Sequence, residues 1–98
     1  MKEITAKELE QKLMSGEEVN MIDVREDEEV AAGKIPGIKH IPLGEIPDRL
    51  NELDQNTHYY MVCRSGGRSG RACEYLTEKG YQVTNVVGGM LDWEGETE

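Results

Sequence analysis

Cys63-Arg64-Ser65-Gly66-Gly67-Arg68 is the segment of this chain whose residue types and spacing could do chemistry. A thiol stands directly after the apolar run His58-Tyr59-Tyr60-Met61-Val62, and two glycines and two arginines follow. The pattern reads as a buried strand that stops at the cysteine, a tight loop, and a helix opening near Arg68. A helix start offers unpaired backbone N–H groups and about half a positive charge. Gly66 and Gly67 let the intervening backbone curl, so that successive N–H groups face inward as an anion cradle. Arg64 and Arg68 add positive charge. The chemistry this serves is that of a thiolate.

An ordinary thiol has a pKa near 8.5, so only about 3% is ionised at pH 7. A shift of roughly two units, about 2.7 kcal/mol, would make the thiolate the major form. The helix terminus and the two guanidinium groups are expected to supply it. Cys73 reads differently: inside the following helix, beside the inward positions Ala72 and Leu76, it is expected to be a packing residue. It lies about 8 Å along the axis from the helix start, whereas a disulfide needs Cα atoms within about 7 Å. A redox switch pairing Cys63 with Cys73 would therefore need the loop to fold over.

Other thiol chemistries compete with simple sulfur attack. A cysteine-histidine hydrolase needs an imidazole in hydrogen-bond reach of the sulfur. His58 opens the strand that Cys63 ends, roughly 16 Å away at ~3.3 Å per residue; His40 is left open, with no carboxylate or amide evidently placed to orient it. Cysteine phosphatases and arsenate reductases also use a thiolate in a backbone cradle closed by an arginine. Their loop is one residue longer than the four residues between Cys63 and Arg68, and the tighter loop suits a single sulfur atom.

The elements that must position this loop are those of an α/β fold. Ile4 closes a short first strand, and Thr5 with Glu8 forms a capping-box signature for a helix carrying Leu9 and Leu13. Gly16 stops it. Val19 to Val24 reads as a buried strand with Asp23 near its end, and Arg25 to Glu29 as a polar segment outside the sheet. Lys34 to Gly37 is a turn, Ile38 to Ile41 a short strand stopped by Pro42, and Ile46, Leu50 and Leu53 one face of a short helix. After the helix from about Arg68 to Lys79, ended by Gly80, Val83 to Val87 is a last strand broken by Gly88-Gly89. Alternating strands and helices predict a parallel sheet. Ligands gather outside the carboxyl ends of such strands, where Asp23, Cys63 and Gly88 all fall.

Composition narrows the partners. The 98 residues carry 20 acidic and 11 basic side chains, a net charge of −9, which argues against nucleic acid or an anionic membrane surface as a partner. One domain, residues 1–98, is expected at this length. The charged stretch Met1 to Gln11 contains no apolar run resembling a secretory signal, no stretch approaches the ~20 apolar residues that span a bilayer, and the two cysteines form no CxxC or zinc pattern. A reduced, cytoplasmic setting is the expectation.

Taken in order, Asp23-Val24-Arg25, Ile35-Pro36-Gly37 with Ile41-Pro42, Cys63 through Ser69, and Gly88-Gly89 followed by Trp93 make the whole chain resemble the single-domain rhodaneses. Lys34 stands where that family often has histidine, and Val30 where it often has an aromatic residue. The resemblance implies a five-stranded, mostly parallel sheet flanked by helices on both faces. It implies that Cys63 is the catalytic nucleophile, accepting a sulfane sulfur from a donor such as thiosulfate or a persulfide. Arg64, Ser65, Gly66, Gly67, Arg68 and Ser69 would form the binding loop, their backbone amides holding the persulfide until a thiol, cyanide or a partner protein's thiol removes it. No metal or organic cofactor is expected. Either a catalyst or a sulfur-carrier module of low independent turnover fits this pattern. Asp23 and Arg25 are expected to play a supporting role, capping the loop or forming an ion pair, rather than to contact substrate, and Trp93 to cover the terminal helix. Arg64 and Arg68 could each contact the donor, with Arg68 the more readily diverted to a bracing carboxylate.

Overall fold

A computed structural model describes residues 1–98. Five strands, β1 (Lys2–Thr5), β2 (Asn20–Asp23), β3 (Lys39–His40), β4 (His58–Val62) and β5 (Gln82–Val87), form one sheet in the order β1-β5-β4-β2-β3. Every pairing is parallel. Three α-helices accompany them: α1 (Ala6–Met14), α2 (Asp27–Ala31) and α3 (Gly67–Glu78).

Strand periodicity sorts the core onto two faces. Along β4, Tyr59 and Met61 point to the same side as Cys63, and join Ile22, Val24, Ala72, Cys73, Leu76 and Val83 in a layer beneath α3. Val62 points the other way and packs with Leu9, Ile35 and Val86 beneath α1. Helices thus cover both faces, as parallel strands with two apolar sides require.

The expected capping box starts α1: Thr5 Oγ1 accepts from the Glu8 N–H at 3.1 Å, and Glu8 Oε1 accepts from the Thr5 N–H at 2.9 Å. One expectation needs correction. The segment carrying Ile46, Leu50 and Leu53 is not α-helical but a 3-10 run, Leu43–Glu52, interrupted at Arg49 (φ −122°, ψ 21°). Pro47 within it has no N–H for an α ladder, and the tighter, irregular turn results; only Ile46 is fully buried. The polar stretch after β2 lies outside the sheet, as expected, and runs into α2. Glu29 Oε1 accepts from the Glu26 N–H at 3.0 Å at the start of α2, and Arg25 is buried.

The sheet order places the reactive edge. The chain leaves β4 through α3 toward β5 on one side, and leaves β2 through α2 toward β3 on the other. The carboxyl ends of the adjacent strands β2 and β4 therefore diverge and open a crevice, the usual ligand position in parallel sheets. Cys63 and Asp23 stand at those two ends.

Candidate active site

Cys63 ends the buried face of β4, and its backbone is pinned from below. Gly88 N–H donates to the Ser65 carbonyl at 3.1 Å, Met90 N–H to the Cys63 carbonyl at 2.9 Å, and Leu91 N–H to the Arg64 carbonyl at 2.9 Å. The short 3-10 turn Gly89–Asp92 thus forms a floor under the loop. Gly89, at φ +48°, lies so close that a Cβ there would overlap the Cys63 carbonyl oxygen. Gly66 takes φ +112°, the left-handed turn that starts α3, and only glycine adopts it without strain.

With its carbonyls held on the floor, the loop turns its amides to the sulfur. Gly66 N–H donates to Cys63 Sγ at 3.0 Å, and the Ser69 hydroxyl lies 3.3 Å from the same atom. Burial pushes the Cys63 thiol up, but bonds from the Ser69 hydroxyl and the Ser69, Gly66 and Ser65 amides outweigh it and hold the thiol below its ordinary value. Hydrogen bonds to the charged form favour it. The amides at the helix start act as expected, joined by the Ser69 hydroxyl; neither guanidinium group is among the causes that lower the thiol.

The arginines part company. Arg64 is exposed and is not among the residues that form ion pairs. Arg68 turns away to α2, where Nη1 and Nη2 grip the two Glu29 oxygens at 2.6 and 2.8 Å. Its fork is occupied by a carboxylate, and the helix that carries the loop is thereby fastened to α2. Glu29 responds by dropping to about 2, chiefly through the Arg68 bond.

Asp23 and Arg25 form a second brace. Arg25 Nε lies 3.0 and 3.1 Å from the Asp23 oxygens, Nη2 2.9 Å from Oδ2, and Nη2 also donates to the Gly33 carbonyl at 2.8 Å. Both residues are buried and fully engaged with each other and with the α2 segment. Neither histidine serves the sulfur. His40 Nε2 bonds the Arg25 carbonyl at 2.7 Å and its Nδ1 lies 3.8 Å from Asp27; His58 Nε2 meets Thr84 Oγ1 at 2.6 Å. Cys73 is a free, buried thiol pushed up to about 12, first by burial. Trp93 follows the terminal 3-10 turn and packs with Met90 on the α1 side of the sheet. No cluster of three or more His, Cys, Asp or Glu side chains gathers as a metal site.

Two contributors escaped the sequence reading. Glu29 had no spacing to mark it as the partner of a residue 39 positions away. Asn85 on β5 donates through Nδ2 to the Gly66 carbonyl at 3.1 Å, and its Oδ1 lies 2.6 Å from Ser69 Oγ. A polar residue inside an apolar strand was its one trace.

A buried thiol ringed by amide donors at the mouth of a five-stranded parallel sheet defines the rhodanese class of α/β domain. The Rhodanese-like domain family model matches residues 5–96, and the chain belongs to that family. It is 50% identical over 97 residues to "Putative sulfurtransferase YtwF" of Bacillus subtilis, covering 99% of this chain and 94% of that protein. It is 47% identical to "Putative sulfur carrier protein YrkF" of the same organism, covering 98% of this chain but only 52% of that longer protein. A crystallised rhodanese-like domain protein of Staphylococcus aureus superposes with a TM-score of 0.95 at 47% identity, covering 100% of this chain and 97% of that one.

Proposed function

We propose that this protein is a sulfurtransferase that carries a sulfane sulfur as a persulfide on Cys63. The observation that carries this reading is the buried Sγ with the Gly66 amide at 3.0 Å and the Ser69 hydroxyl at 3.3 Å, donors that favour a charged sulfur. In the loading step, the Cys63 thiolate attacks the outer sulfur of thiosulfate; the S–S bond to the sulfonate breaks and sulfite leaves with the electron pair. In discharge, cyanide or a thiolate attacks the outer sulfur of the persulfide, and the electron pair returns to Cys63 Sγ. The inward amides receive the negative charge at each stage. Arg64, exposed in the loop, attracts the anionic donor. Gly67 and Ser65 contribute backbone rather than side chains, and Arg68 braces the loop through Glu29. That engagement also weighs against phosphoryl or arsenate chemistry, which would need the Arg68 fork turned to the oxyanion.

The sulfurtransferase name of YtwF supports a transfer role. The carrier name of YrkF supports a second reading, in which the loaded domain delivers to a protein thiol and turns over slowly by itself. Steady-state assays with thiosulfate separate the two. Sustained thiocyanate formation from cyanide marks the catalyst; rapid loading with discharge only to a protein thiol marks the carrier. Arg64→Ala should raise the KM for thiosulfate severalfold. An unchanged KM would remove Arg64 from donor binding.

A further inference from the structure

Cys63, Ser69, Asn85 and Gly66 close a ring of hydrogen bonds, and Asn85 is the member that sulfur chemistry alone does not require. Asn85 is buried on β5, one turn of the strand beyond Val83 and opposite Met61 of β4, so it faces α3 beside the loop. Its Nδ2 donates to the Gly66 carbonyl at 3.1 Å. That bond fixes the direction of the amide, because the reversed group would set oxygen against oxygen. Oδ1 is therefore the atom 2.6 Å from Ser69 Oγ, while Cys63 Sγ lies 3.3 Å from the same Oγ. A serine hydroxyl has one proton to donate. Two acceptors compete for it.

We propose that Asn85 is a positioning residue that draws the Ser69 hydroxyl proton away from Cys63 whenever the sulfur is uncharged, and yields it only to the thiolate. The proposal rests on the sulfur-transfer reading and adds to it. With Sγ protonated, S–H donates to Ser69 Oγ and Oγ–H donates to Asn85, so every group is paired. With Sγ ionised, a charge-assisted bond is about twice as strong as a neutral one, and the hydroxyl turns to the sulfur. Oδ1 then faces Oγ without a proton between them. In the persulfide the charge resides on the outer sulfur, Sγ is neutral, and the hydroxyl returns to Asn85. Asn85 thus favours the loaded state over the empty thiolate and slows release of the cargo.

The test is Asn85→Leu in the full chain, similar in size and lacking both polar groups, with the Cys63 thiol pKa read from the pH dependence of alkylation. The cradle has other support: the Gly66 carbonyl keeps its bond from the Gly70 N–H at 3.0 Å, and Gly88 still holds Ser65. The charged and titratable groups beside the sulfur, Arg64 in the loop and Arg68 and Cys73 on α3, are unchanged. The thiol pKa should fall by about 0.5–1 unit. Discharge of loaded protein to cyanide should quicken about two- to threefold, since a leaving thiol of lower pKa departs faster. In a Ser69→Ala background the fall should vanish, because no hydroxyl is left to release; Asn85→Ala should act in the same direction as Asn85→Leu. A thiol pKa that rises or stays put, or an equal fall without Ser69, overturns the proposal. If the pKa moves as stated while no sulfur loads, the relay stands and the transfer reading fails instead.

Discussion

At the scale of single residues, the two cysteines of this protein occupy opposite chemical environments within one packed layer. Cys63 is ringed by donors and Cys73 by hydrocarbon, so the first is held below and the second far above the ordinary thiol value. Thiolate, not thiol, is the reactive form. Native protein treated with iodoacetamide at neutral pH should therefore be modified at Cys63 alone, as peptide mass mapping would show; comparable labelling of Cys73 would contradict this. Ser69→Ala removes one donor to the sulfur and should raise the Cys63 pKa by about one unit, since a hydrogen bond to a charged group contributes about 1.5–3 kcal/mol. Cys63 was legible in the sequence because every cue lay within six residues: an apolar strand, then glycine and arginine. Asn85 was not, because its partners come from the register of β4 against β5 and from the helix between them. Arg68 was legible as a loop residue with two possible partners, but only the fold brings Glu29 within reach of it.

At the scale of elements, a five-residue helix and a four-residue 3-10 turn hold the loop between them. The Glu29–Arg68 pair joins α2 to α3 with both side chains about one-third exposed or less. Glu29 is lowered from 4.5 to about 2 in the fold. A depressed carboxylate stabilises above its unfolded pKa and loses that contribution as pH falls through its folded one. Glu29→Gln should therefore cost about 1 kcal/mol at neutral pH, with the difference from native protein shrinking between pH 5 and about 2. Denaturation midpoints measured across that range check it; a difference independent of pH would exclude the ion pair as its source. Beneath the loop, Gly89→Ala should destabilise by about 1–3 kcal/mol through overpacking, and should abolish sulfur loading because the Cys63 carbonyl is displaced. The long elements, α1, β4 and α3, were readable from periodicity and caps. The short ones were not: Pro47 turned an apparent helical face into a 3-10 run, and α2 is too brief to show a period.

At the scale of the whole molecule, the accessible surface is 5570 Å², against about 5,600 Å² for a folded chain of this mass. Large exposed apolar side chains are limited to Met1, Met14, Val87 and Leu91. Lys34, where the family resemblance led to histidine, instead pairs with the end of the chain: its Nζ lies 3.3 Å from Glu98 Oε1, and the two backbones exchange hydrogen bonds at 2.8 and 3.2 Å. No helix is long and apolar enough to cross a membrane. On the proposed function the donor is an anion, and the net charge of −9 repels it while Arg64 attracts it. Distant charges are screened by salt more than contacts are. The kcat/KM for thiosulfate should therefore rise between low and physiological ionic strength, as the repulsive field is damped while Arg64 keeps its local attraction. A monotonic fall would place the dominant attraction at long range.

Whether sulfur rests covalently on the residue at the end of β4 is settled most directly by intact-mass and peptide analysis of reduced protein mixed with thiosulfate. A gain of one sulfur atom, confined to the peptide bearing Cys63, removed by cyanide and absent from Cys63→Ser, is the predicted result. Loading that survives in Cys63→Ser, or no mass gain with the loop intact, would contradict it.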